Sequence, residues 1–249
     1  MEITLTINGF PVTAAFPDSD IRLIWLPLLQ TLDQLYLTKK KRIVVFLAGP
    51  PAAGKSTAAS FLEYLSLNMP GLEPVQALCM DGFHFPHKYL LSHTLFRNNQ
   101  TVSMASVKGC PQTYDTDGFK QHLCMLKESK CRWPVYDRTL HDVIEDQLEV
   151  ECNIVVIDGN WLLLPFEPWC SIADEFCDYS IFFSTEEQLL KERLVQRKIS
   201  GGLTPTAAAD FYRESDGPNV RLALAGHRKA DLEVLWDPSA NSAKQELIK

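Results

Sequence analysis

The chain has 249 residues, of which 46% are hydrophobic, and a formal net charge of −7. This length supports one sizeable core with appendages, and the acidic balance argues against a nucleic-acid partner, because nucleic-acid-binding proteins usually carry a basic surface. No apolar run approaches the length of a bilayer span and the N-terminus lacks a secretory pattern, so we expect a cytoplasmic protein with no membrane partner. The seven cysteines form no C-x-x-C pair, which favours reduced thiols over disulfides or a zinc site.

The first 41 residues predict a hairpin followed by a helix. Residues 2–7 alternate in polarity, Asn8-Gly9 is a strong turn pair, and residues 12–16 are suited to the returning strand. A helical spacing of leucines then runs over 20–36. We expect residues 1–41 to be appended to a nucleotide-binding core, as a docking surface for a partner or as a homodimer contact.

Residues 42–236 alternate short apolar runs with amphipathic segments. The predicted strands are 43–48, 75–80, 153–158 and 179–183, and the predicted helices are 56–67, 117–128, 186–199 and 204–214. This alternation predicts an α/β fold with a mostly parallel sheet between two layers of helices. Ligands of such sheets bind at the carboxyl ends of the strands. Residues 237–249 are polar and predict a frayed C-terminal tail.

A complete phosphate-binding loop follows the first core strand. Its sequence is G-P-P-A-A-G-K-S-T, and the candidate ATP-binding residues are Gly49, Pro50, Pro51, Ala52, Ala53, Gly54, Lys55, Ser56 and Thr57. Backbone N–H groups of such a loop surround the phosphates, and the start of the next helix adds its positive end. Lys55 is expected to reach the β- and γ-phosphates and Ser56 to ligate Mg²⁺. The motif therefore predicts ATP and Mg²⁺ as ligands.

A second acidic motif, V-V-I-D-G, places Asp158 at the end of a predicted strand. A carboxylate at this position is suited to hold Mg²⁺ together with Ser56, directly or through water, although an aspartate that caps a turn has the same pattern. The chain lacks the N-K-x-D guanine reader of switch GTPases. It contains Ser200-Gly201-Gly202, but this sequence comes after Asp158, the wrong order for an ABC-type ATPase.

The segment C-M-D-G-F-H-F-P supplies a candidate general base. Asp81 follows the predicted strand 75–80, where it would face the γ-phosphate and accept the proton of an attacking hydroxyl. Gly82 permits close backbone approach, and His84 is placed to line the acceptor pocket. An Asp-Gly turn with only a structural role would have the same local sequence, but its position after this strand favours catalysis.

Taken together, these motifs resemble the phosphoribulokinase, uridine kinase and pantothenate kinase group of P-loop kinases. The resemblance runs from about residue 42 to 231. Besides the phosphate loop it rests on M-D-G-F-H-F-P, K-G-C-P-Q-T-Y-D, W-P-V-Y-D-R-T-L-H-D-V-I and I-D-G-N-W-L-L-L. It implies a three-layer P-loop NTPase fold and an ATP-dependent phosphotransferase, with bacterial pantothenate- or nucleoside-kinase-like proteins as the most similar group.

The resemblance also implies roles for single residues. Asp81 corresponds to the general base. The residues that correspond to the acceptor region are His84, Lys108, Tyr114, Tyr136, Arg138 and His141. The sequence departs from the family at Asp158, where a glutamate is usual, so that direct metal contact is in doubt. The appended N-terminus is a second departure.

A basic helix predicts a lid at about 193–203. Arg193 and Arg197 are four residues apart on one helical face, so we expect both to reach the transferred phosphate. A solvated basic face is the alternative, since local glutamates can pair with these arginines. The later residues His227 and Arg228 are candidates to contact the adenine of ATP.

The resulting hypothesis is a kinase that transfers the γ-phosphoryl group of ATP to a hydroxyl of a small metabolite. The motifs leave pantothenate-like, nucleoside-like and sugar-like acceptors open. The alternative is a non-catalytic ATP-binding sensor that closes its lid and passes the change to a partner.

Overall fold

The computed structural model describes residues 1–7, 9–97, 99–128, 131–237 and 242–246. In chain order its strands are β1 (Glu2–Ile7), β2 (Phe10–Ala15), β3 (Ile43–Ala48), β4 (Val75–Cys79), β5 (Thr94–Arg97), β6 (Gln100–Ser103), β7 (Cys131–Asp137), β8 (Asp142–Val150), β9 (Ile154–Gly159), β10 (Tyr179–Thr185), β11 (Leu232–Asp237) and β12 (Ser242–Glu246).

The first helix, α1, runs through Asp18–Asp20, a π-helical turn at Ile21–Trp25, and Leu26–Lys39. The others are α2 (Lys55–Leu67), α3 (His87–Ser92), α4 (Thr116–Glu128), α5 (Trp169–Phe176), α6 (Glu187–Ser200), α7 (Pro205–Phe211) and α8 (Gly217–Ala225). A second π-helical turn, Tyr212–Asp216, joins α7 to α8. Across the described ranges, no helix has the length and apolarity needed to cross a bilayer.

The central sheet has the strand order β12-β11-β10-β3-β9-β4. The five strands from β11 to β4 are parallel, and only β12 runs antiparallel. Parallel strands need helical crossovers, which cover both faces of the sheet and make the strands apolar throughout. All six residues of β3 are buried for this reason.

Alternate residues of β3 enter two separate cores. Ile43, Val45 and Leu47 pack in the layer that contains α1 and α2. Val44 and Phe46 pack in the opposite layer with α4 and α5. The fold is therefore a three-layer α/β/α arrangement of the P-loop NTPase type, as the sequence predicted.

The N-terminal hairpin and helix belong to the first of these cores. The Phe16 ring stacks on Phe61 of α2 with a centroid distance of 3.5 Å, and the Trp25 ring meets Phe61 edge-on at 5.8 Å. Leu32 of α1 is fully buried in the same cluster. Side chains of the N-terminal segment thus form part of this hydrophobic core. The predicted turn residue Asn8 lies outside the described residues.

The C-terminal expectation needs a correction. Residues 242–246, predicted to fray as part of a polar tail, form β12 and pair with β11. An edge strand needs only backbone hydrogen bonds to a neighbour, so polar residues can form it. Residues 238–241 and 247–249 of the predicted tail lie outside the described residues.

Candidate active site

The carboxyl ends of β3, β4 and β9 bring the predicted motifs to one edge of the sheet. Ala48 pairs with Gly159, and Cys79 pairs with Asp158, so the phosphate loop, Asp81 and the second acidic motif are neighbours. They surround a cavity of about 320 Å³. Predicted residues that line this first cavity are Pro51, Ala52, Gly54, Lys55, Ser56, Thr57, Asp81, His84, Lys108, Tyr114, Tyr136, Arg138, Asp158 and Arg197.

The phosphate loop has the backbone shape of an anion cradle. Ala52 and Gly54 take positive φ values of 66° and 106°, and α2 begins at Lys55 directly after them. Gly49 lies against β10, where a Cβ atom would be 2.0 Å from the Phe183 carbonyl oxygen. A side chain at position 49 would therefore displace the loop from the sheet. Pro50 and Ala53 complete the loop but do not line the first cavity.

Lys55 is buried beneath the cradle. Its Nζ donates to the Pro50 carbonyl and to Asn160 Oδ1, both at 2.8 Å. Burial lowers the Lys55 pKa to about 8, against the opposing effect of the Asp158 and Asp81 carboxylates. The cation is thus held at the floor of the cavity by neutral oxygens.

Ser56 and Asp158 form the candidate metal pair. Ser56 Oγ donates to Asp158 Oδ2 at 2.6 Å, and Asp158 is only 5% exposed. Burial raises the Asp158 pKa to about 6, although the Ser56 hydrogen bond and Lys55 act in the opposite direction. A hydroxyl and a carboxylate are oxygen donors that suit Mg²⁺, which usually completes its shell with water and phosphate oxygens. The described residues contain no cluster of three or more His, Cys, Asp or Glu side chains that could hold a metal alone.

Asp81 lies in a single 3₁₀ turn, Met80–Phe83, that directly follows β4. Its Oδ1 accepts a hydrogen bond from the Tyr114 hydroxyl at 3.2 Å. The next residue must be glycine, because a Cβ atom on Gly82 would be 2.1 Å from the Pro134 carbonyl oxygen of β7. The Tyr114 hydrogen bond therefore orients the Asp81 carboxylate, and Gly82 lets the chain pass close to the backbone of β7.

His84 is buried beside the candidate base. Its Nδ1 is 3.3 Å from the Thr113 carbonyl oxygen, and its ring stacks on Tyr114 at a centroid distance of 3.9 Å. Burial lowers the His84 pKa to about 4, so the ring is neutral at neutral pH. A carbonyl oxygen only accepts, so Nδ1 carries the proton and Nε2 is left as an acceptor.

Lys108 bridges two parts of the predicted acceptor region. Its Nζ donates to the Tyr136 hydroxyl at 2.9 Å and to the His141 carbonyl at 3.1 Å. His141 takes a positive φ of 55°, and its side chain is exposed and does not line the first cavity. His141 thus contributes its backbone.

The two lid arginines lie at different places, although both were expected at one phosphate. Arg193 Nη1 donates to the Ala52 carbonyl at 3.1 Å, on the outer side of the phosphate loop. Arg197 lines the first cavity. The four-residue spacing places them on one helical face, but Arg193 reaches the backbone of the phosphate loop and does not line the first cavity.

His227 and Arg228, the candidate adenine contacts, lie outside the lining of the first cavity. Arg228 donates to the Cys170 carbonyl at 3.1 Å and to Asp174 Oδ1 at 2.5 Å, and His227 stacks on Phe182. Neither residue lines the first cavity. Arg228 is therefore tied to α5, in the sheet layer opposite α1.

Sequence reasoning missed four polar residues that line the first cavity: Asn160, Lys198, Asp216 and Asn219. Asn160 follows the second acidic motif directly, so its position beside Lys55 could have been inferred. Asp216 lies in the π-helical turn and Asn219 in α8, and no sequence motif predicts that they line the cavity.

A second cavity of about 380 Å³ adjoins the phosphate loop on its other side. It shares Ala52, Gly54 and Thr57 with the first cavity. Its remaining walls include Phe16, Trp25, Phe183, Arg193 and Trp236, so it is largely apolar and aromatic.

Comparison with known proteins gives relatives over nearly the whole chain. The chain is 43% identical over 235 residues to the uncharacterized protein YggC of Escherichia coli K12, covering 94% of this chain and 95% of YggC. It is 29% identical to a candidate uridine kinase of Schizosaccharomyces pombe, over 80% of this chain and 86% of the relative. The crystal structure of a candidate fructose transport system kinase from Silicibacter sp. TM1040 matches with a TM-score of 0.70 and 31% identity, over 82% of this chain and 98% of that one.

The chain belongs to the P-loop kinases of the phosphoribulokinase, uridine kinase and pantothenate kinase group. It is a small-molecule kinase. Within this group it is also 28% identical to the pantothenate kinase of Actinobacillus succinogenes, but there it spans 47% of the relative's length. No family model matches the chain.

Proposed function

We propose that this kinase transfers the γ-phosphoryl group of ATP to a hydroxyl of a small metabolite, with Asp81 as general base. One observation carries the proposal: Asp81 and the phosphate loop line the same cavity. A carboxylate beside the γ-phosphate can orient an alcohol in line with the phosphorus and accept its proton.

The surroundings of Asp81 leave it suited to this role. Tyr114 donates to Oδ1, which orients the carboxylate and leaves Oδ2 for the acceptor hydroxyl. The Tyr114 pKa is raised well above its usual value by burial and by the Asp81 charge, so the phenol keeps its proton. Neutral His84 offers Nε2 as a further acceptor for a substrate hydroxyl. Tyr136, which accepts a hydrogen bond from Lys108, and Arg138 also line the acceptor region.

Lys55 at the floor of the cavity and Arg197 from the lid helix would stabilise the negative charge that develops on the transferred phosphoryl group. Ser56 and Asp158 would hold Mg²⁺, which when bound would supply positive charge to offset that of the phosphates. Asp158 is one methylene shorter than the glutamate usual in the family, but its contact with Ser56 supports a shared role for the two side chains in holding the metal. Arg193 acts as a positioning residue, because it contacts the loop backbone.

The second cavity is the candidate site for the adenine. A triphosphate held by the loop in the first cavity would direct its base past Thr57 into the second, where aromatic walls favour stacking. Trp236 and the N-terminal residues Phe16 and Trp25 would then contact the adenine, a role that the sequence analysis assigned to Arg228. This role would make the N-terminal segment part of the ATP site, whereas a homodimer contact would use its outer face.

The Asp81→Asn variant tests the catalytic proposal. It should bind ATP as the wild type does but lower kcat by about 10²- to 10⁴-fold, since general-base catalysis is lost. Equilibrium ATP titration and ADP formation over a panel of pantothenate, nucleosides and sugars measure the two effects. Normal turnover by this variant would show that Asp81 is not the base. Tight ATP binding by the wild type with no acceptor-stimulated turnover over a broad metabolite library would favour a non-catalytic sensor.

A further inference from the structure

A third cavity, of about 440 Å³, is lined mainly by the β5–β6 hairpin, the 3₁₀ turn Met104–Val107 and the π-helical turn before α8. Its lining shares no residue with the first or the second cavity. It is nevertheless next to the first, because Val107 precedes Lys108 and Ser215 precedes Asp216. The third cavity is therefore a neighbour of the phosphate-transfer site but not a part of it.

Arg97 brings a positive charge to this cavity that no carboxylate of the described residues offsets by an ion pair. Its side chain is half-buried, and Nη1 is buried with no hydrogen-bond partner in the described part of the chain. A guanidinium stays charged, and a buried cation is costly unless an anion pairs with it. Arg97 is therefore suited to bind an anion that enters the cavity.

Ser215 supplies a second unpaired group on the same lining. It is only 4% exposed, and its Oγ is buried without a hydrogen-bond partner among the described residues. Buried polar atoms are nearly always paired, so this hydroxyl also points to a ligand. Because Arg97 and Ser215 lie on different elements, the two observations are independent. A guanidinium and a hydroxyl can both donate, and an oxyanion accepts from both.

The other charged side chains of the third cavity largely offset one another. Arg213 and Glu214 are exposed and form an ion pair at 3.4 Å. Arg213 also pairs with Asp210 at 2.8 Å. Arg97 therefore leaves the lining with a net positive charge.

The arrangement of the donors favours a phosphate group over a carboxylate. A terminal phosphate has three acceptor oxygens and carries up to two negative charges, whereas a carboxylate has two oxygens in one plane. Three oxygens can accept from Arg97 and from Ser215 at once, although these donors come from different elements. Val102, Val107 and Phe211 add apolar wall, which suits the organic part of a phosphate ester.

We propose that Arg97 and Ser215 bind the phosphate group of a small phosphorylated metabolite in the third cavity, at a site separate from those of ATP and the acceptor. This inference goes beyond the proposed kinase function, because the ligand is bound there and is not consumed. The guanidinium pairs with phosphate oxygens, and the Ser215 hydroxyl donates to another.

Calorimetric titration with inorganic phosphate and with D-ribose 5-phosphate tests the site, with malonate as the carboxylate probe. The protein is first saturated with Mg²⁺ and the β,γ-imido analogue of ATP, so that the phosphate loop is filled. Arg97→Gln should weaken phosphate binding roughly 10- to 100-fold and Ser215→Ala roughly 3- to 10-fold. Arg213→Gln is the matched control, since this arginine lines the same cavity but is exposed and already ion-paired, and it should cost less than about threefold.

Thermal unfolding separates loss of the site from loss of the fold. Without phosphate, neither Arg97→Gln nor Ser215→Ala should lower Tm, because each removes a polar group that has no partner in the described residues. Phosphate should raise the Tm of the wild type but not that of Arg97→Gln. Absence of phosphate binding by the wild type, or equal affinity in the wild type and both variants, would overturn the proposal. Tighter binding of malonate than of phosphate would overturn the choice of ligand.

Discussion

Burial moves the pKa values of three side chains in the first cavity in different directions. The Lys55 pKa is lowered to about 8, the Asp158 pKa is raised to about 6, and the His84 pKa is lowered to about 4. Each shift disfavours the charged form, because the low-dielectric interior solvates charge poorly. Between pH 6 and 8 the ammonium and the carboxylate are nevertheless charged and the imidazole is neutral, which suits phosphate and metal binding beside an uncharged ring.

His84 should make stability depend on pH. The unfolded chain protonates a histidine near pH 6.5, but the folded protein resists protonation until about pH 4, so unfolding is favoured progressively as the pH falls through this window. The free-energy advantage of wild type over His84→Gln should therefore shrink by about 3 kcal/mol from pH 7 to pH 4. Urea unfolding at several pH values measures it.

An exposed histidine supplies the control for this measurement. His87→Gln is the matched control, since His87 is exposed at the start of α3. The Asp158 pKa, raised from 3.8, favours folding at the acidic end and so acts in the opposite direction over pH 4 to 6. Because both the wild type and His84→Gln contain Asp158, its effect cancels in their difference. A pH-independent His84→Gln difference would show that the ring is not held neutral.

Helix α6 contributes one arginine to each of the two cavities, Arg197 to the first and Arg193 to the second. Arg197→Ala should lower kcat by about 10²- to 10³-fold with little change in ATP affinity, as expected for a group that meets charge developing in the transition state. Arg193→Ala should weaken ATP binding about tenfold, because it removes a charged hydrogen bond to the phosphate loop. Steady-state kinetics measures the effect on kcat, and ATP titration measures the effect on ATP binding. Glu192→Gln, at an exposed position of the same helix, is the control. Identical effects of the two arginine variants would contradict separate roles.

The N-terminal hairpin should contribute to stability as a core element. Phe16, the residue that follows β2, is 6% exposed and stacks on Phe61, whereas Phe10, the first residue of β2, is 49% exposed. Phe16→Ala should lower the free energy of unfolding by about 3–5 kcal/mol. Phe10→Ala should change it by no more than about 0.5 kcal/mol. Denaturant unfolding of both variants measures this, and similar small effects would mean that residues 1–16 are only an appendage.

At the scale of the whole molecule, the second cavity joins distant parts of the chain. The N-terminal segment, the phosphate loop, α6 and the end of β11 all contribute walls. If the adenine binds there, Trp236→Ala should weaken ATP binding roughly 5- to 100-fold through lost stacking. The affinity for inorganic triphosphate, which has no base, should not change. Calorimetric titration with both ligands decides this, because an equal loss for both would mean that the substitution disturbs the phosphate loop.

The local sequence determined most of the fold. Strand 43–48 has the bounds that its apolar run predicts, and helices 56–67 and 117–128 differ by one residue at their N-terminal ends. Such elements are readable because periodicity and capping act over a few residues. The hairpins β5–β6 and β7–β8 were not predicted. Strands β5, β6 and most of β8 are exposed or half-buried, and Pro134 interrupts β7 at a register shift.

The phosphate loop, Asp81 and Asp158 could be found from the sequence because each lies at or just after the carboxyl end of a strand, and the ends of parallel strands share one edge. Only the tertiary structure decided that Arg193 contacts the loop backbone while Arg197 lines the first cavity, that Arg228 pairs with Asp174 in the opposite layer, and that Asp216 lines the first cavity. These placements depend on how helices pack across the sheet, and packing joins residues far apart in the chain. A sequence pattern records which face of an element is apolar, but it does not record what lies against that face.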